Sequence, residues 1–421
     1  MQEILTERPN LFEPNDYITF YLELSGKIQV EDLADAIKTA YKANEVTMSK
    51  IVLKSDGVAY YEKMSQSNCK VEIIQGNWQE IIKENEKCPF ELERGELIRC
   101  FIIPDGEKFS FMIMAHHLAG DGKAITYFIE DIMIALSGRE LIYKPLSLLT
   151  RKTIPKIGKY PFIAKLYPKY CNFKWRKTEG ISFTWEDFYN IHKRYWETTS
   201  SNIEYRHLSK KETALIKEKA KRIGVSVNSY IITAFLQADK NNSVVGIPVS
   251  VRENGNKSMT NLTSGVSIIH SFNDNDTFSE NAKQIQQKVL KKIEIHRWFV
   301  LRFLSNFTPA LIDAVLLQTH HCYENPMVEQ LSRVMRYTGE KTRDLGITNL
   351  TVLDIPASYG AYKIEKIIFI PPNISYSHNI IGVSTFNGEM TLTFHGTEDD
   401  RDRQKQLFDK GVKNLISNNK K

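Results

Sequence analysis

Along the first 145 residues the apolar positions switch between a period of two and a period near 3.6, and these switches mark out strands and helices. Tyr17–Leu24 alternates and is rich in aromatic and aliphatic residues, which predicts a strand. Over Val30–Asn44, Leu33, Ala36, Ile37, Ala40 and Tyr41 recur at helical spacing on one face. Lys50–Tyr61 reads as a hairpin turned at Asp56-Gly57, and Trp78–Glu86 as a helix. Leu97–Ile103 and Phe109–Ala115 read as a second hairpin, turned at Pro104-Asp105-Gly106. Lys123–Leu136 returns to helical spacing with Ile125, Phe128, Ile129 and Ile132 inward.

The second half repeats the mixture. Strands are predicted over Ile203–Leu208, Val244–Val251, Val266–Phe272, Thr348–Leu353, Lys363–Ile370, Ile380–Phe386 and Met390–His395. Helices are predicted over Lys210–Arg222, stopping at Gly224, and over Val227–Ala238, Thr277–Ile295 and Arg403–Ile416. Phe299–Gln318 is the most hydrophobic helix candidate, but it carries Arg302 and Asp313 and reads as amphipathic. No uninterrupted apolar run reaches the ~18 residues of a spanning helix. Hairpins interleaved with helices favour mixed α/β layers over a strictly parallel sheet.

At 421 residues the chain exceeds one typical core, and two domains are expected. The join is placed where composition changes. Arg151–Lys177 holds nine Lys or Arg and no Asp or Glu, with Tyr160, Phe162, Tyr167, Tyr170, Phe173 and Trp175 between the charges. Pro155, Pro161 and Pro168 are expected to break regular structure there. The expected division is 1–150, a basic aromatic linker over 151–195, and 196–421. The linker has four readings: a solvated crossover, a rim for a phosphorylated cofactor or an acidic carrier protein, a membrane-surface contact, or a platform for single-stranded nucleic acid. The last needs a basic groove elsewhere, which the sequence does not offer, so no nucleic-acid partner is expected.

Apolar content of 42% and charge content of 25% are ordinary for a globular protein. The net charge of +6 is mild and favours acidic partners without implying nucleic acid. Cys69, Cys88, Cys100, Cys171 and Cys322 form no CxxC pair and no Cys/His cluster. They read as scattered reduced thiols. The N-terminal MQEILTERPN has charges where a signal peptide needs an apolar core. A cytoplasmic location is the expectation.

The candidate chemistry lies at His116-His117-Leu118-Ala119-Gly120-Asp121-Gly122, directly after the apolar run Phe109–Ala115. An imidazole at a strand end, away from bulk solvent, is a ready general base near neutral pH. A metal shared by His117 and Asp121 would need further ligands, and none sits nearby in sequence. No metal site is expected.

The neighbourhood sharpens this reading. Pro89-Phe90-Glu91-Leu92-Glu93-Arg94-Gly95-Glu96-Leu97-Ile98-Arg99 precedes a short hairpin and then HHxxxDG. This order resembles the condensation domains of nonribosomal peptide synthetases and the CoA-dependent acyltransferases. Leu22-Glu23-Leu24-Ser25-Gly26 with the helix after it, Ser137-Gly138, Ile247-Pro248-Val249-Ser250-Val251-Arg252 and Thr348-Asn349-Leu350 extend the resemblance over nearly the full length.

The resemblance implies two chloramphenicol-acetyltransferase-like α/β domains in a V, with a tunnel between them and the motif at its midpoint. It implies His117 as the general base that takes a proton from an acceptor hydroxyl or amine as that atom attacks a thioester. His116 would orient the strand end. Asp121 would pair with an arginine to hold the turn, with Arg252 and Arg99 both candidates; Arg252 could equally be an ordinary strand-end surface arginine. Gly122 would relieve the backbone after the turn and offer an N–H towards the oxyanion. The remaining histidines, among them His270, His320, His321, His378 and His395, read as structural or surface residues, with His270 and His395 weak candidates for tunnel lining.

Some features depart from the pattern. No DFGWG segment of the plant-type branch is present, and Asp16-Tyr17-Ile18-Thr19-Phe20 stands where peptide-synthetase domains carry an arginine-bearing motif. With no adenylation or carrier segment evident, a stand-alone member is expected. The expected activity is acyl transfer from acyl-CoA or a phosphopantetheinyl thioester to an alcohol or amine, with no tightly bound cofactor. The rival expectation is a non-catalytic module that recruits a carrier or partner protein.

Overall fold

Two six-stranded mixed sheets organise the chain. The computed structural model describes residues 1–105, 108–335, 344–375, 377 and 379–417. His378 and part of the turn expected at Pro104-Asp105-Gly106 lie outside the described residues.

The first sheet runs in the order Ser358–Tyr359, Tyr362–Ile370, Tyr17–Ser25, Lys108–His116, Ile98–Asp105, Lys70–Ile73. All neighbours are antiparallel except the last pair. Its alternation places Phe20, Leu22 and Leu24 in the core. Against it pack the helices Val30–Ala43 and Gly122–Leu136, whose Tyr41 and Phe128 rings meet edge to face at 5.5 Å. Tyr41 donates its hydroxyl to the Ile98 carbonyl at 2.7 Å, so its one polar atom is satisfied inside the core.

The second sheet runs Thr263–Ile269, Val244–Ser250, Leu345–Val352, Ile380–Phe386, Glu389–Thr397, Ser201–Leu208. Leu345–Val352 is parallel to both its neighbours and the outer pairs are antiparallel. Helices Lys210–Ile223, Val227–Ala238, Phe278–His296 and Arg401–Ser417 lie in this half. The first and third start with capping boxes, Ser209/Glu212 and Thr277/Glu280. The first stops at Gly224, whose φ of +78° suits the left-handed position after a helix.

The division of the cores does not follow 1–150 and 196–421. Tyr362–Ile370 pairs with Tyr17–Ser25, and the helices Pro309–Thr319 and Pro326–Met335 bury their apolar residues in the first core. The two halves are stitched side by side. Along Glu389–Thr397, alternate side chains donate to carbonyls of the neighbouring segment: Thr391 to Ile367, Thr393 to Phe369 at 2.7 Å, and His395 Nδ1 to Pro371 at 2.6 Å. Gly382 permits the approach, because a Cβ there would lie 2.5 Å from Thr393 Oγ1 and 2.6 Å from Pro371 Cδ.

Two further expectations need correction. The segment 151–195 is largely helical, with Phe162–Thr178 and the start of Trp185–Thr198. Pro161 sits at the N-cap, where its ring does no harm. Pro168 is inside the helix, and the Ala164 carbonyl it would leave unpaired accepts the Tyr160 hydroxyl at 3.1 Å. Phe299–Gln318 is two helices, Phe299–Leu304 and Pro309–Thr319, separated before Pro309. The second is buried nearly all round, and Asp313 is fully buried against Arg8, not on a solvent face.

Candidate active site

Strand register builds the site. Tyr17 pairs with His116, so the next residue out on each strand places Asp16 beside His117, whose N–H donates to the Asp16 carbonyl at 2.9 Å. His116 ends the strand and points into the core between Tyr17 and Phe90. Its Nδ1 accepts the Leu118 N–H at 3.2 Å, capping the short 3-10 turn His117–Ala119. Burial, followed by the neighbouring imidazole of His117, pushes His116 down to about 3, so it stays neutral near pH 7.

His117 is half-buried and lines a cavity of about 290 Å³ between the two halves. Its Nδ1 lies 2.9 Å from Asn261 Nδ2, on the loop before Thr263–Ile269. Asn261 Oδ1 accepts the Thr263 N–H at 3.2 Å, which turns the amide nitrogen towards the imidazole. Asp16 and Glu13 line the same cavity. Burial raises Asp16 to about 6 against the pull of His117, and raises Glu13 to about 8.

The Asp121 carboxylate caps the helix Gly122–Leu136 by accepting the Ala124 N–H at 2.8 Å. It also accepts from Arg252 Nη2, the Leu262 N–H and the Thr263 hydroxyl. Arg252 reaches on to the carbonyls of Ser258 at 2.8 Å and Thr260 at 2.6 Å. One ion pair therefore fixes the histidine turn to the loop that carries Asn261. Arg99, the other candidate partner, is engaged elsewhere: it pairs with Glu96 and ties down the carbonyls of Asn85, Cys88 and Pro89.

The glycines divide the work differently from the expectation. Gly120, with φ of +145°, takes the conformation that side chains resist, and a Cβ on it would meet Ala124 Cβ at 2.6 Å. Gly122 does not have a positive φ; its need is space, since a Cβ there would lie 2.7 Å from Leu350 Cδ2. His270 and His395 are buried and do not line the cavity: His270 bonds Asn281 at 3.1 Å and His395 faces Glu86. Among the described residues, no group of three or more His, Cys, Asp or Glu is placed to hold a metal ion.

No family model matches the chain. Over 98% of its length it superposes on the first condensation domain of the CDA synthetase, with a TM-score of 0.62, 12% identity and 93% of that chain covered. A trichothecene 15-O-acetyltransferase from Fusarium sporotrichioides matches over 98% of this chain and 94% of its own, with a TM-score of 0.63 and 12% identity. The fold is that of the condensation domains and their acyltransferase relatives. In sequence, 141 residues are 26% identical to a polyketide synthase-nonribosomal peptide synthetase of Aspergillus clavatus, a match that spans 4% of that protein.

Within this fold the cavity wall includes residues from both sheets: Ile18 and Phe369 from one, Ile247, Pro248 and Thr348 from the other. Asn261, Asp16 and Glu13 are the site residues that spacing did not reveal. Asn261 carried only the weak signal of an Asn two residues before a strand Thr, the pattern of an Asx turn.

Proposed function

We propose that the chain transfers an acyl group from a thioester to a hydroxyl or amine acceptor in the cavity at His117. The observation that carries this reading is a half-buried imidazole on a cavity walled by both halves, with Nδ1 engaged by Asn261. Nε2 is then the ring nitrogen left to handle a substrate proton.

For His117 to act as base, Nε2 needs its lone pair and Nδ1 the proton. With the amide nitrogen towards Nδ1, as the Thr263 N–H to Oδ1 bond sets it, the proton sits on Nε2; the base form requires the Asn261 amide to turn over so that its oxygen accepts Nδ1–H in place of the Thr263 N–H. In the step itself, Nε2 takes the acceptor's proton as its oxygen or nitrogen bonds to the thioester carbonyl carbon. The tetrahedral adduct collapses with cleavage of the C–S bond, and the imidazolium returns the proton to the thiolate. The products are the ester or amide and a free thiol. General base assistance contributes roughly 10²–10⁴-fold. Alignment within a cavity that limits water supplies more.

The donor is acyl-CoA or a carrier-bound phosphopantetheinyl thioester. The net charge of +6 and Lys123 on the cavity wall suit its phosphate. Incubation with acyl-CoAs and with carrier-loaded acyl chains, each with added alcohols and amines, tests the reading. Acceptor-dependent thiol release that is lost in His117→Ala is the expected result. Silence across both donor panels would overturn it.

A further inference from the structure

We infer that the helix Phe162–Thr178 docks the protein on an anionic membrane surface. Successive helix residues are set about 100° apart, so Phe162, Leu166, Tyr170 and Phe173 fall on one line. These residues are exposed, as is Ile163: Phe162 is 72% accessible, Ile163 73% and Phe173 61%. The opposite line, Ala164, Pro168, Cys171 and Trp175, is buried. The helix is therefore seated in the fold by one apolar face and presents a second apolar face to solvent. Exposing several large apolar side chains together is costly unless something covers them.

The charges select the cover. Lys165, Lys169 and Arg176 flank the exposed stripe on one side and Lys174 on the other, and the preceding loop adds Lys156 and Lys159 with an exposed Ile157. No Asp or Glu occurs from 151 to 177. Apolar side chains at the centre of a helix face with cations along its edges match the acyl and headgroup layers of an anionic bilayer. A protein partner would need a groove cut for five exposed side chains, whereas a bilayer accepts them individually. No single helix among the described residues is long and apolar enough to cross a membrane.

The docking helix packs against the segment that lines the cavity. Asn172 on the helix bonds the Asn306 carbonyl at 2.8 Å and the Thr308 N–H at 2.9 Å. The Tyr160 ring meets Phe299 at a tilt, 5.6 Å between centroids, and the short helix Phe299–Leu304 lines the cavity with Val300, Leu301 and Leu304. The inference concerns binding and stands whether or not the cavity transfers acyl groups.

The test is co-sedimentation of the full chain with phosphatidylcholine vesicles, pure or with about a third phosphatidylglycerol. Binding is expected only to the anionic vesicles, and weaker when salt rises from about 0.1 M to about 1 M and the Debye length shrinks from about 10 Å to about 3 Å. Lys165→Gln with Lys169→Gln should lower partitioning roughly thirtyfold, at about 1 kcal/mol per charge. Phe162→Ser with Phe173→Ser should lower it at least about tenfold. Both pairs are solvent-facing, so circular dichroism and thermal midpoint should match the parent. Absence of binding to anionic vesicles, or unchanged binding by both variants, would overturn the inference. So would a sedimentation-velocity dimer that the Phe variant dissolves, which would show a second copy covering the face.

Discussion

Asp121 and Arg252, 131 residues apart in sequence, meet at 3.0 and 3.1 Å with only 5% and 4% of their side chains exposed. Removing one partner leaves a buried charge without its counter-ion, which typically costs 3–5 kcal/mol. Arg252→Met and Asp121→Ala are each expected to lose about that much in urea unfolding. Because both residues bond the 258–263 loop, their joint removal should cost much less than the sum. Additive losses would show that the two residues act separately.

This contact also shows what a sequence can and cannot specify. HHxxxDG after an apolar strand marked the site, and the resemblance to condensation domains implied an arginine partner for Asp121. Local pattern could not choose between Arg252 and Arg99, because the choice depends on how two distant loops fold back. The same limit explains Tyr362–Ile370, legible as a strand but not as a member of the first sheet. The helix Val30–Ala43 was readable because Leu33, Ala36, Ile37, Ala40 and Tyr41 repeat at helical spacing along it. The helix Phe162–Thr178 was hidden by Pro168, whose missing hydrogen bond is replaced from outside the helix by Tyr160. Asp313 read as a polar-face residue because nothing nearby announced Arg8, more than three hundred positions earlier.

His117→Ala should leave the fold intact, since the ring is half-exposed to the cavity, while lowering acceptor-dependent thiol release by roughly 10²–10⁴-fold. Asn261 offers a finer test. Asn261→Asp presents only oxygen to Nδ1, which holds the proton there and frees Nε2 as base. Asn261→Ala removes the constraint. The Asp variant should therefore keep more of kcat than the Ala variant, with the acid limb of its pH–rate profile moved upward by the added negative charge. Equal loss in both would assign Asn261 to loop structure alone.

Arg8 and Asp313 form a second buried pair, with Arg8 Nε 2.7 Å from Asp313 Oδ1 and both residues almost inaccessible. The pair ties the N-terminal segment, which carries Glu13 and Asp16, to the helix Pro309–Thr319. Asp313→Ala strands a guanidinium in the core and should cost about 3–5 kcal/mol. Arg8→Met with Asp313→Leu should restore much of that stability, as apolar replacements of buried pairs often do. Thermal midpoints of the single and double variants decide the matter.

Glu7 gives stability a definite pH dependence. Burial raises its carboxyl from 4.5 to about 8, opposed by the Asn261 N–H and by Tyr61. Hydrogen bonding agrees with a protonated acid: the single Tyr61 hydroxyl proton goes to the Leu118 carbonyl at 2.7 Å, so the 3.3 Å contact with Glu7 Oε2 is best filled by Glu7 donating to Tyr61. Between pH 4.5 and about 8 the native state holds a proton that the unfolded chain has released. The stability this confers is complete below the lower value and is lost as pH rises towards the upper one. Glu7→Gln keeps a carbonyl for the Asn261 N–H and an amide donor for Tyr61, and it cannot ionise. Its thermal midpoint should match the parent at about pH 5 and exceed it at about pH 9. Parallel midpoint curves for variant and parent would show that Glu7 is not protonated in the folded chain.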